Sequence, residues 1–393
     1  MTMGSLPSDV ITVEPQTGEV AVGRGTAAAS LSRRPPPWHV RFGLSWSTGA
    51  VPVVLILLLG AAFGPQGLNV LTSGVLQVID PVLPVAIAAL GILAGLEFTR
   101  PAAPNRWSLL HKASIESLLT GVLVAIGIWL LLPAPPNFET SDAWLVAVMA
   151  GLCASMSATV PDADPDRLRR PAIRMRDLDA LLPAIVGALV LTFLHSFSPL
   201  ASLGLAIQAT ILALLISAAA WLLLADTVPS TEQRVFSIAA LLLVGGIADY
   251  LSLSALAGGL LAGLFWGYVG GVARDCVERD IRYLRHPLAV LMLLAAGART
   301  TFSWWILLFA TAYLLLRVAG KFLGGWLTHR APGVAIPDNV GATLLPPGVF
   351  GIALALDATS MMEPSASAIL AATVLGSIGS QLLAALWRPE IHE

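Results

Sequence analysis

Residues 171–195 read PAIRMRDLDALLPAIVGALVLTFLH. From Ala180 to Leu194 only Thr192 is polar, so the stretch suits the hydrocarbon of a bilayer, which about 20 apolar residues cross as a helix. Asp179 lies about eight residues in, or about 12 Å at 1.5 Å per residue, too deep for a short carboxylate to reach the interface. A charge at that depth costs at least about 2.5 kcal/mol and marks a pathway for ions, protons or substrate. Pro183 follows four residues later and lacks the N–H that would bond the carbonyl of residue 179, so the helix is predicted to kink there and free a hard oxygen ligand. Asp179 with that carbonyl is the predicted binding site for a proton or a small monovalent metal cation.

The rest of the chain has the same character. Of 393 residues, 56% are hydrophobic and 12% charged, about half the charged fraction of a soluble domain. The fold class is an all-α polytopic membrane protein. Twelve spans are predicted, near 49–64, 83–98, 109–132, 143–160, 171–195, 203–225, 233–249, 254–272, 285–298, 302–325, 340–357 and 366–387. With both termini cytoplasmic, every lysine and arginine except Arg299, Arg317 and Lys321 falls on the inner side, as the positive-inside rule requires. Residues 1–45 hold no apolar core segment and read as a disordered cytoplasmic tail without a signal peptide, and 46–390 as one transmembrane domain.

Other chemistries find little support. The net charge of −2 gives no reason to expect nucleic acid. Cys153 and Cys276 have no metal or redox spacing, the six histidines are scattered, and no nucleotide-binding glycine motif occurs. No cofactor is expected beyond the ions carried. An intramembrane protease would need two facing aspartates, but Asp179 and Asp249 fall at different depths.

Two more segments carry the signature of interrupted helices. Gly151, Ser155, Ser157 and Thr159 precede Pro161 in the fourth span. In the eleventh, Pro346 and Pro347 are expected to free the carbonyls of Ala342 and Thr343. Broken helices in matching positions of two halves point to a midplane transport site. Ser155, Thr159 and Thr343 are therefore candidate ligands. Lys321 is informative because the chain has two lysines against twenty arginines, and a buried lysine can release a proton where arginine cannot. Two placements stay open: pairing with Asp179, or snorkelling toward Arg330. Arg317 shares its helix face, one turn away. Asp177 is read as pairing with Arg174 or Arg176 in a solvated cytoplasmic collar. Those arginines also allow the alternative of an anionic substrate. Asp249, beside Tyr250, is assigned to the outer end of its span. Glu97 and Glu116 are assigned to contacts at cytoplasmic helix ends.

Gly64-Pro65-Gln66-Gly67-Leu68, Gly91 to Phe98 (GILAGLEF), Ala248 to Gly263 (ADYLSLSALAGGLLAG) and Leu345 to Leu354 (LPPGVFGIAL) resemble, in family order, motifs of the monovalent cation:proton antiporter superfamily, in particular its sodium/proton and potassium-efflux branch. The chain departs from that pattern in having only a polar tail where the family often has an additional helix ahead of the Gly64 turn, in carrying Leu178 where many members have a second acid, and in carrying Pro347 where an arginine is frequent. The resemblance implies inverted repeats of spans three to five and ten to twelve with two interrupted crossing helices. It also implies proton exchange for Na+ or K+ by alternating access with Asp179 as the binding acid, Lys321 as its partner, a homodimer, and a bacterial plasma membrane location. With one acid, exchange is expected to be one proton for one cation.

Overall fold

The computed structural model describes residues 50–100, 106–131, 143–157, 171–195, 199–225, 231–251, 253–362 and 365–386. The predicted tail 1–45 and the candidate ligand Thr159 lie outside the described residues. Among the described residues there are fifteen α-helices and no strand. In lipid each backbone N–H and C=O must be satisfied within its own segment, which leaves helix as the only open-chain solution.

The helices are α1 (Ala50–Phe63), α2 (Ser73–Ile79), α3 (Leu83–Thr99), α4 (Arg106–Leu131), α5 (Ala143–Ser155), α6 (Pro171–Leu178), α7 (Leu181–His195), α8 (Pro199–Ala225), α9 (Thr231–Tyr250), α10 (Ala255–Val269), α11 (Gly271–Ala298), α12 (Trp304–Arg330), α13 (Val340–Thr343), α14 (Val349–Thr359) and α15 (Ser365–Leu386). Each of the twelve predicted spans contains helix. Six segments are long and apolar enough to cross a membrane unaided, and α1, α5, α10 and α14 are shorter apolar helices.

Three segments differ from expectation. The second span starts earlier, because α2 runs through a 3-10 turn at Asp80–Val82 into α3. Pro81 and Pro84 occupy first-turn positions, where a missing N–H costs nothing. The predicted loop 273–284 is the first half of α11. Arg274, Glu278 and Arg282 form i,i+4 ion pairs along it, while Cys276, Val277 and Ile281 are buried. The fifth span is broken outright between α6 and α7, at Asp179 and Ala180. Pro183 then falls in the first turn of α7 rather than at an internal kink.

The helices pack as two groups, α1, α3 and α8–α11 in one and α4–α7 with α12–α15 in the other. The first group is seamed by α3 and α10. Ala88 lies on Gly259 and Ile92 on Gly263, so the two helices run parallel with backbones in contact. Without a hydrophobic drive in lipid, small residues at four-residue spacing are what allow such packing. In the second group Thr120 faces Gly320 and Glu116 faces Gly324, which makes α4 and α12 antiparallel neighbours.

The α3–α10 seam is testable. A Cβ on Gly259 would lie 2.1 Å from the Ala88 carbonyl oxygen, whereas one on neighbouring Gly258 would meet nothing within 4 Å. Gly259→Ala is expected to cost about 1–3 kcal/mol as overpacking. It should lower the detergent melting temperature, and Gly258→Ala should leave it unchanged.

Candidate ion and proton site

The site begins with the end of a helix. α5 stops at Ser155, with Met156 and Ser157 non-helical and buried, so its last carbonyls open into the protein interior without intrahelical donors. Two cations from α12 meet them. Arg317 donates to the carbonyl of Ala154, and to that of Met156 at 3.3 Å. The Lys321 ammonium donates to the carbonyl of Ser155. A helix C-terminus carries about half a negative charge, so cations there are favoured. Arg317 and Lys321 are 2% and 0% exposed.

Asp179 enters from the α6–α7 break, itself 1% exposed. Both of its oxygens accept from the Ser157 N–H, at 3.1 and 2.9 Å, and Oδ2 lies 3.3 Å from Lys321 Nζ. The Ser157 hydroxyl donates to the Leu344 carbonyl at 2.6 Å. Leu344 stands in the gap between α13 and α14, so the unwound ends of two interrupted helices meet there. Gly351 of α14 also lies directly on the Cys153 carbonyl of α5. With Leu344 beside Ser157 and Gly351 beside Cys153, the two broken helices run antiparallel.

Of the two placements left open by the sequence, Lys321 takes the one beside Asp179. It also meets a carboxylate the sequence reading had set aside. Glu116 of α4 is fully buried, with Oε1 3.0 Å and Oε2 3.3 Å from Nζ. The Thr120 hydroxyl donates to Glu116 Oε1 at 3.0 Å. The assignment of Glu116 to a helix-end contact is therefore corrected. In antiparallel α4 and α12, residue 116 lies at the level of 324, one turn from Lys321. The other lysine, Lys112, caps α12 by donating to the carbonyls of Thr328, Ala331 and Val334 at 2.8–2.9 Å.

Other expectations change. The Ser155 hydroxyl bonds the Leu152 carbonyl at 2.8 Å, so Ser155 offers the site its backbone oxygen. The Thr343 hydroxyl bonds its own turn at Val340, 2.7 Å away. The Ala342 carbonyl, expected free, accepts from Leu345 N at 3.4 Å in a tightened turn. Arg174 is not part of a solvated collar, being 2% exposed with its guanidinium on the Glu97 carboxylate at 2.5 Å and carbonyl at 3.0 Å. Asp177 is half-buried on α6, and Asp249 is exposed at the end of α9. A carboxylate absent from the sequence reading, Asp357 of α14, is buried and accepts from the Ser254 hydroxyl at 2.5 Å and the Ala255 N–H at 3.1 Å, at the start of α10.

Comparison of the sequence with protein-family models and with curated proteins returns no match. Comparison of the structure does. The sodium/proton antiporter MjNhaP1 of Methanocaldococcus jannaschii, solved at pH 8, superposes with a TM-score of 0.64 over 87% of this chain and 96% of its own, at 16% identity. The chain has the antiporter fold. Identity at this level carries the architecture and leaves the chemistry to the residues described above.

Arg317 is expected to be a structural keystone. Arg317→Ala strands the carbonyls of Ala154 and Met156 at a cost of about 1–3 kcal/mol each, and Arg317→Lys recovers only part, because a point charge cannot span both. Thermal unfolding in detergent of wild type, R317K and R317A should rank in that order.

Proposed function

We propose that the chain is a secondary transporter that exchanges protons for a monovalent cation, Na+ or K+, by alternating access. The observation that carries this reading is Asp179, buried at the junction of two interrupted helices with Lys321 as its counter-ion. A carboxylate amid backbone carbonyls is a hard-oxygen environment of the kind small cations take. Protonation removes the charge that attracts the metal ion, and a bound metal ion disfavours the proton, so occupancy is exclusive. An empty carboxylate is costly to move through lipid, which couples the two fluxes. The antiparallel pairing of α4 with α12, and of α5 with α13–α14, supports inverted repeats. A homodimer in a bacterial plasma membrane with cytoplasmic termini completes the proposal, in line with the antiporter fold and the inner-side arginines.

The anion alternative rested on Arg174, Arg176 and the missing second acid beside Asp179. Burial of Arg174 on Glu97 removes the first of these.

Two polar clasps join the helix groups. Arg174 of α6 holds Glu97 of α3, and Asp357 of α14 holds Ser254 and Ala255 at the start of α10. Because α3 and α10 are parallel, with Ala88 beside Gly259, these clasps sit at opposite ends of the seam, about 20 Å apart at 1.5 Å per residue. Movement of one group against the other by a few ångströms breaks them, so they bias which side the site faces.

In liposomes holding purified protein under an imposed pH gradient, Na+, K+ and Li+ are compared for proton release. At least Na+ or K+ should drive it, and Asp179→Asn should reduce it to the protein-free background. Proton flux in D179N equal to wild type defeats the proposal. Arg174→Ala and Asp357→Asn should each change the maximal rate at least severalfold without moving the pH of half-maximal activity. Unaltered rates in both would show that the clasps do not govern the cycle.

A further inference from the structure

We infer that Glu116 is a second carboxylate partner of Lys321 that keeps the lysine charged while a cation occupies Asp179, making the exchange electroneutral. This rests on the cation/proton reading of the preceding section. The Lys321 ammonium lies between two buried carboxylates, one on α4 and one in the α6–α7 break, 3.0 Å from Glu116 Oε1 and 3.3 Å from Asp179 Oδ2. Glu116 is the better anchored to it. Both its oxygens reach the ammonium, and Thr120 supplies a further hydroxyl donor. Asp179 presents one oxygen to the lysine while both take the Ser157 N–H. A metal ion approaching Asp179 can therefore displace Lys321 without leaving a buried ammonium unpaired. That displacement would otherwise cost several kcal/mol or drive the lysine proton off.

The charge count follows. Glu116 and Asp179 contribute two negative charges and Lys321 one positive, so the empty set is one unit negative and accepts one positive guest. The guanidinium of Arg317 is bound to the α5 carbonyls and contributes equally in every state. With H+ on Asp179 or a metal ion beside it, the loaded site has the same total charge. One proton leaves to water on the side where the metal ion enters, one metal ion leaves on the other, and no net charge crosses. The sequence-based expectation of one-for-one exchange is kept, but with two acids rather than one.

Glu116 acts through Lys321, as a positioning residue, so the test reads charge movement as well as rate. Purified wild type, Glu116→Gln and Glu116→Asp are placed in liposomes, and Na+- or K+-driven proton flux is measured with and without an imposed membrane potential, across external pH. Wild-type flux should not respond to the potential. In E116Q the half-saturating cation concentration should rise at least tenfold and fall steeply with rising pH, as the lysine proton now competes, and flux should become potential-sensitive. E116D should retain wild-type insensitivity. Potential-sensitive wild-type flux overturns the inference, as does an E116Q protein matching wild type in cation dependence and potential response. Should E116Q not fold, potential-sensitive wild-type flux would still overturn the inference. Failure of every tested cation to drive proton flux in wild type would instead remove the exchange reading, and this inference with it.

Discussion

A helix that ends inside a bilayer leaves carbonyl oxygens with no water to turn to, and the arrangement of this molecule follows from how that debt is met. The end of α5 exposes Ala154, Ser155 and Met156. Two cations on α12, one turn apart, are delivered to them by a helix that packs on α4 through glycines. Once Lys321 is held against Ser155, its ammonium is fixed in space, and the carboxylates of Asp179 and Glu116 settle around it. The site is thus built from the requirement that interrupted backbone be satisfied, and Asp179 is the last piece positioned.

Specificity of architecture and freedom of movement are separated in the two helix groups. Within the α3–α10 seam the backbones touch through Gly259 and Gly263, a contact that tolerates no sliding. Between the groups the strong polar contacts described above are few and terminal, Glu97 with Arg174 and Asp357 with Ser254. Much of what lies between is apolar, including a cavity of about 170 Å³ lined by residues such as Ile185, Ala213, Val244 and Leu260. An apolar joint with polar ends is suited to two discrete arrangements, since packed interfaces are bistable more readily than they deform.

Much of the fold was legible because membrane helices declare themselves by apolar length and by charge at their ends. Asp179, Lys321 and the breaks near Ser155 and Pro346 were readable for the same reason: charge and proline are conspicuous in lipid-fit sequence. The depth of Glu116 was misjudged because Lys112 nearby suggested a solvated helix end, whereas Lys112 is itself buried as a cap. The roles of Ser155 and Thr343 could not be read, since a hydroxyl that bonds its own turn looks identical in sequence to one that faces an ion. Arg174 misled in the opposite direction. Its partner Glu97 is far along the chain, and no local spacing announces an ion pair made between helix groups.

The burial of both lysines has a practical side. With Lys112 and Lys321 at 2% and 0% exposure, and no other lysine in the sequence, the surface of the described residues bears positive charge only as guanidinium or imidazole. Amine-directed cross-linkers and dyes find no side chain to attack there. The arginines there keep their charge far into the alkaline range, where a lysine-rich surface would begin to lose it.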